Sequence, residues 1–556
     1  MNNLSLKLSK GDLFGGLTAG IVALPLALAF GVQSGMGAAA GLFGAVFLGF
    51  FAALLGGTPL QISGPTGPMT VVTAATVAVL IARAGDFTTA FPAIIATFVL
   101  AGLIQIVMGT LRLGSYIRYI PYPVISGFMS GIGVIIILFQ FFPALGLGSP
   151  ATTLEVFGAI PGALAQVNVW ALSFTLLTIG IIYQFPKLTK SVPSTLVALL
   201  AVTLLSLLLG HEIPVIGEIP QGFPPIHLDK IFSIDPSMFM VILEAAATLA
   251  ALGAVDSLLT SVIADNVSKT KHSSNKELIG QGVGNAVSGL FGGIPGAGAT
   301  MRTLVNVRSG GKTRISGMIH ALVLLFIAIG LGKYAALIPK SVLAGILITV
   351  GISILDYRAL RQIRQIPVTD AVIMVIVLVI TVLFDLLIAV GVGILLASIL
   401  FMKKMGDLME ENSRIQSLEE VSADEKRINE SMPESLKNSV YVKQMDGPLF
   451  FGSATGFQDL LQKMPDTRYV IIRMEKVPYI DQTGFYALED SILALEQRNI
   501  DVLLCGINAQ PLQRLKAVRL IPGLIGKEHV FPDFSACLEW LSVNPVSKNG
   551  RIAVPA

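Results

Sequence analysis

The stretch "GGIPGAGATMRT", Gly292 to Thr303, sits in a chain of 556 residues that is 53% hydrophobic and only 13% charged. It holds four glycines, one proline and one arginine, between segments that read as membrane helix. A soluble domain carries about a quarter charged residues, so the composition implies a polytopic membrane protein. A net charge of +3 gives no sign of a nucleic-acid partner. Helix-breaking backbone survives at membrane depth only where protein or water satisfies its polar groups. The stretch therefore lines something.

A second copy lies earlier. In "ALLGGTPLQISGPTGPMT", Ala53 to Thr70, the residues Gly56, Gly57 and Pro59 answer to Gly292, Gly293 and Pro295, about 236 positions apart, and both runs end near a methionine. Interrupted short segments at matching places in two halves point to a transporter binding site. A half-helix that starts at the midplane aims its free N–H groups and partial positive charge at its surroundings. Two such starts make an anion site. The candidates are Thr66, Gly67 and Thr70 from the first copy and Gly298, Ala299, Thr300 and Arg302 from the second.

Apolar stretches of spanning length fall near 13–33, 38–56, 88–111, 120–146, 168–186, 192–210, 237–264, 276–291, 315–332, 335–357 and 368–402, the last split near Asp385. With the short segments 65–82 and 297–307 this predicts about fourteen spans in two seven-span halves, half-helices three and ten carrying the breaks. No cleavable signal peptide is evident. If the N-terminus is inside, the inner loops hold most of the basic residues, from Lys7 and Arg112 to Lys403, and the outer loops only Arg83, Lys230, Lys333 and Lys340. That asymmetry places both termini in the cytoplasm. A permease domain is expected over 1–404, a polar linker over 405–435, a small cytoplasmic α/β domain over 436–545 and a tail over 546–556. Cys505 and Cys537 read as free thiols.

The segment "EAAATLAALGAVDSLLTSVIADNV" buries Asp256, with Thr260 four residues on and so on the same helical face. An intramembrane carboxylate is expensive and usually functional. With a hydroxyl and freed carbonyls it offers the oxygen ligands that hold Na⁺, with Thr300 as a further hydroxyl. The competing reading pairs Asp256 with Arg302. His320 reads as a satisfied packing residue. Five histidines without metal spacing, and no "GxxxxGK[ST]", leave neither enzyme nor ATP-driven pump and no cofactor.

"GDLFGGLTAGIVALPLALAFGV", "QISGPTGP", "NKELIGQGVGNAVSGLFGGIPGAGATMRTLVN" and "PYIDQTGFYALE" together resemble the SulP family of anion permeases over nearly the whole chain. The resemblance implies two inverted seven-helix repeats, a core domain moving against a gate domain, a C-terminal STAS domain and a homodimer in the cell's inner (plasma) membrane. Asp in "DSLL" is most similar to the family's cyanobacterial Na⁺-dependent bicarbonate symporters. The leading expectation is thus Na⁺-coupled bicarbonate symport. The alternatives are a proton-coupled sulfate or dicarboxylate carrier, an uncoupled anion exchanger or channel, and a scaffold working through its STAS domain. In "DQTG", Thr483 matches a position phosphorylated in related anti-sigma-factor antagonists; the alternative role is folding, with Thr483 capping the helix and Gly484 making the turn.

Overall fold

The computed structural model describes residues 9–150, 152–189, 192–210, 213–217, 222–231, 235–384, 386–412, 415–418, 420, 440–454 and 467–544. The chain forms two compact units, divided between Ala397 and Ser398.

The first unit is helical. Its elements are α1 (Lys10–Gln33), α2 (Ala38–Leu55), α3 (Gly67–Ala84), α4 (Phe87–Thr110), α5 (Tyr122–Ala144), α6 (Thr153–Leu164), α7 (Val169–Leu188), α8 (Ser194–Leu209) and the single turn α9 (Leu228–Ile231). They continue as α10 (Phe239–Ser268), α11 (Ser274–Leu290), α12 (Thr300–Arg308), α13 (Arg314–Ala335), α14 (Lys340–Ile354), α15 (Tyr357–Arg361) and α16 (Val368–Leu383), and the division falls within α17 (Leu386–Asn412). Among the described residues, eight helices are long and apolar enough to cross a membrane. The helices end where local chemistry predicts. Ser9 and Asp12 cap α1 reciprocally, Asp86 caps α4, and Gly210 follows α8 in the left-handed region. The expected break near Asp385 falls between α16 and α17; Asp385 itself lies outside the described residues. The sequence reading missed α6, whose twelve residues are too short to span and which packs Val156 and Ala163 against Phe142 and Leu145.

Two helix groups result. α1 to α4 pack with α10 to α13, and α5, α7, α14 and α16 pack with one another. In the first group the chain leaves α2 at Leu55 and α11 at Leu290 and becomes extended. There β1 (Ser63–Gly64) pairs antiparallel with β2 (Ala297–Gly298), Ser63 opposite Gly298 and Gly64 opposite Ala297. β1 leads into α3, whose 18 residues are long enough to span, and β2 into α12, a short helix of nine residues. The two glycine-rich copies thus satisfy part of each other's backbone, as membrane depth demands.

The second unit is built on a sheet of order β3-β4-β5-β6-β7. β3 (Ile415–Ser417) is an antiparallel edge; β4 (Val440–Asp446), β5 (Tyr469–Lys476), β6 (Asp501–Cys505) and β7 (Val530–Phe531) run parallel. Parallel strands covered on both faces are apolar throughout, and Val470, Ile471 and Ile472 are fully buried. One sequence expectation needs correction. Part of the stretch read as linker is sheet, since Ile415–Ser417 pairs with Tyr441–Lys443.

Candidate anion-binding site

α3 and α12 start without side-chain caps. Their N-caps are Thr66 and Ala299. Alanine has nothing to donate or accept, and the Thr66 hydroxyl is turned away to donate to Asp256 Oδ2 at 2.7 Å. Both first turns therefore keep amide donors that no side chain closes off, with the partial positive charge of a helix start.

One face of α10 holds both starts. Asp256 and Thr260 are four residues apart, about 6 Å along the axis. Asp256 meets Thr66 from α3; Thr260 donates to the Gly298 carbonyl at 2.9 Å and shares a 2.8 Å hydrogen bond with Thr300. A hydroxyl has one hydrogen, so Thr300 is the donor to Thr260 whenever Thr260 serves Gly298. Ser257 accepts from the Gly298 amide at 3.1 Å. A methyl on Gly298 would sit 2.1 Å from Gln61 Nε2 and displace that side chain from Glu277 and Ser261. Asp256, 8% exposed, is the one charged group in a cleft lined by Ile120, Val124, Ile125, Phe128, Met129, Val255, Leu259 and Val390. That cleft lies between α10 and α5, hence where the two helix groups meet. Gly67 lies at the same boundary: a methyl there would meet Ile136 of α5 at 2.8 Å and Ile354 of α14 at 2.9 Å.

The remaining candidates take less direct places. Thr70 donates back to the Thr66 carbonyl at 2.7 Å. Arg302 is 1% exposed and donates from Nη2 to the Pro65 carbonyl at 2.8 Å. Its charge reaches the site from behind the strand pair. No ion pair joins Arg302 to Asp256 among the described residues, which removes the purely structural pairing. His320 is not satisfied: neither ring nitrogen has a partner among the described residues. In the second unit, Thr483 is exposed in the first turn of the helix Gln482–Gln497. The folding role assigned to it belongs to Asp481, which accepts from the Gly484 amide at 2.7 Å. Gly484 is buried inside that helix against the Leu449 carbonyl rather than in a turn.

Sequence reasoning missed Glu277. This buried carboxylate of α11 accepts from the Gly57 and Thr58 amides, both at 2.7 Å, from Gln61 Nε2 at 2.9 Å and from Gln281 Nε2 at 2.8 Å. Thr58 and Gln61 in turn meet Ser261 of α10, at 2.7 and 3.0 Å. The chain entering β1 is thus tied to both α11 and α10. An acidic residue in the apolar segment 276–291 was the available signal, by the same argument that singled out Asp256.

Comparisons with known proteins agree with this architecture. The sulfate permease family matches residues 10–377, and the STAS domain matches residues 435–536. A protein named bicarbonate transporter BicA from a Picosynechococcus strain is 41% identical over 93% of this chain and 92% of its own length. One of the same name from Synechocystis is 42% identical over 94% and 93%. The putative sulfate transporter YvdB of Bacillus subtilis is 32% identical over 94% and 95%. Among solved structures, the transmembrane domain of a cyanobacterial BicA matches with a TM-score of 0.64 at 47% identity, covering 69% of this chain and 97% of that one. SLC26A9, at 20% identity, shares the fold with a TM-score of 0.81 over 96% and 90%. A helical membrane unit with two broken helices meeting at a buried carboxylate, followed by a small parallel-sheet unit, belongs to the sulfate permease family: this chain is a multi-pass membrane transporter of anions with a C-terminal STAS domain, not an enzyme.

Proposed function

We propose that the protein imports bicarbonate in symport with Na⁺, by alternating access of its two helix groups. The observation that carries the reading is the placement of Thr66, Asp256, Thr260 and Thr300 along one face of α10, at the uncapped starts of α3 and α12. The anion sits at the two helix starts beside Thr66 and Ala299, taking amides at Gly67 and Thr300, since the Ala299 amide donates to the Ile62 carbonyl at 2.8 Å, with Thr70 and Arg302 in support. Na⁺ takes oxygen from Asp256 and from Thr260, Thr300 and the Gly298 carbonyl, a donor set suited to a hard cation. Coupling is electrostatic. Two negative charges do not settle side by side in a low-dielectric site; Na⁺ at Asp256 neutralises the carboxylate and admits the anion. The similarity to proteins named as bicarbonate transporters, above 40% identity over most of the chain, supports this choice of anion.

On the same reading the protein works as a homodimer in the inner (plasma) membrane, both termini cytoplasmic, the STAS domains contributing to the dimer. Thr483, exposed at a helix start where a phosphate dianion is tolerated, is the regulatory hydroxyl. The deciding experiment is uptake of labelled bicarbonate into proteoliposomes with and without an inward Na⁺ gradient, with Asp256→Ala beside the wild type. Uptake that requires Na⁺ and vanishes in the folded variant supports symport. Sulfate or dicarboxylate uptake under a pH gradient, without bicarbonate uptake, replaces both substrate and coupling ion.

A further inference from the structure

Next to α2 and β1, two buried side chains have unmet hydrogen-bonding capacity. Arg302 Nη1 and both ring nitrogens of His320 have no partner among the described residues. His320 is fully buried and Arg302 is 1% exposed. Groups in such positions are almost always satisfied.

α2 and β1 fix where these atoms lie. A methyl on Gly64 would stand 2.5 Å from Arg302 Nη1 and 3.4 Å from the Ala45 Cα. A methyl on Gly49 would stand 3.3 Å from His320 Nδ1 and 3.1 Å from the Ser63 carbonyl oxygen. Ala45 and Gly49 are one turn apart on α2, about 6 Å along the axis, and Ser63 and Gly64 are neighbours in β1. The guanidinium nitrogen and the ring nitrogen thus border one strip between α2 and β1. The strip presents a fixed cationic donor, a carbonyl acceptor and a ring that is donor or acceptor by tautomer. Mixed donors and acceptors suit water, which needs two to four polar partners. An anion would face the Ser63 carbonyl.

We propose that Arg302 and His320 hold one internal water in this strip, accepting from Arg302 Nη1 and donating to His320 Nδ1, with the Ser63 carbonyl as the partner of its second hydrogen. His320 is then a positioning residue for anion binding. Through the water it fixes the guanidinium whose other nitrogen holds the Pro65 carbonyl, and Pro65 precedes Thr66, the start of α3. The inference rests on anion transport but not on which anion is carried.

The test combines a high-resolution map of the full chain with transport by reconstituted variants, using whichever of labelled bicarbonate or sulfate the wild type takes up. The map is expected to show one water within hydrogen-bond distance of both Arg302 Nη1 and His320 Nδ1. His320→Phe is expected to raise the half-saturating anion concentration about tenfold, the loss of one hydrogen bond to a charged group, with the maximal rate within about twofold. His320→Asn, whose Oδ1 takes the place of Nδ1, restores the wild-type value. In an Arg302→Gln background His320→Phe adds nothing, because the two act through one water. A map with no water there, or Phe and Asn variants that behave alike, overturns the proposal. Should His320→Phe not fold, the map decides alone; should neither anion be carried, the map still decides, and the transport reading fails separately.

Discussion

Asp256 accepts from Thr66 through Oδ2, and among the described residues its other oxygen takes no hydrogen bond, which on the proposed reading turns it to the cation. Charge and shape are therefore separable at this position. Asp256→Asn keeps the shape and removes the charge, so uptake driven by a Na⁺ gradient should fall to background while the purified variant melts within a few degrees of wild type. A variant that retains Na⁺-dependent uptake would take the cation away from this carboxylate. Thr260→Val deletes the hydroxyl that serves both Gly298 and Thr300. The half-saturating Na⁺ concentration should rise about tenfold, equivalent to about 1.4 kcal/mol; a Na⁺ titration of uptake measures it. Gly298→Ala is a different kind of change. Its methyl would push the Gln61 amide off Glu277 and Ser261, and loss of transport with partial loss of folded protein is expected.

The elements that carry the site are short, and other elements hold them in place. α12 has nine residues and β1 and β2 two each, too few to be stable alone. Glu277 ties the segment before β1 to α11, so Glu277→Ala leaves two buried amides and two side-chain amides without their acceptor. A loss of about 3 kcal/mol is expected, read as a lower melting temperature in detergent; an unchanged melting curve would remove Glu277 from the scaffold. How much of this was legible beforehand follows from the same geometry. Apolar runs and breaks are local, so the helices and the two interrupted segments were visible in the letters, and Asp256 stood out because burial of a charge is read from its neighbours. The partners of Glu277, the turning of Thr66 toward α10, and the placement of Arg302 behind β1 depend on residues about 200 positions away, which no local pattern records. α6 was invisible for a third reason, since it is apolar enough to pack but too short to register as a span.

At the scale of the molecule, the STAS domain is chemically quiet where its cysteines lie. Cys505 and Cys537 are both free and buried. Burial pushes the Cys505 thiol up to about 12 and raises Cys537 as well. A raised thiol stays protonated through the neutral range, and alkylation requires the thiolate. Iodoacetamide at pH 8 should therefore leave both unmodified by intact-mass measurement until the domain is denatured; prompt labelling of the native protein would contradict the burial. The membrane unit raises a question of another kind, that of assembly. β1 pairs with β2, and the contact from Ile62 to Thr303 closes across 241 positions. Until the second half is made, the Gly57 and Thr58 amides lack Glu277 and the amide of Ile62 lacks Thr303, which lipid does not tolerate. The first half must wait in water, in the insertion machinery or folded back on its own helices until residues near 300 emerge. The strand pair at the candidate site thus closes only after residues near 300 are made, and a ribosome that stops short of α12 leaves a bundle of helices in the membrane with that pair still unformed.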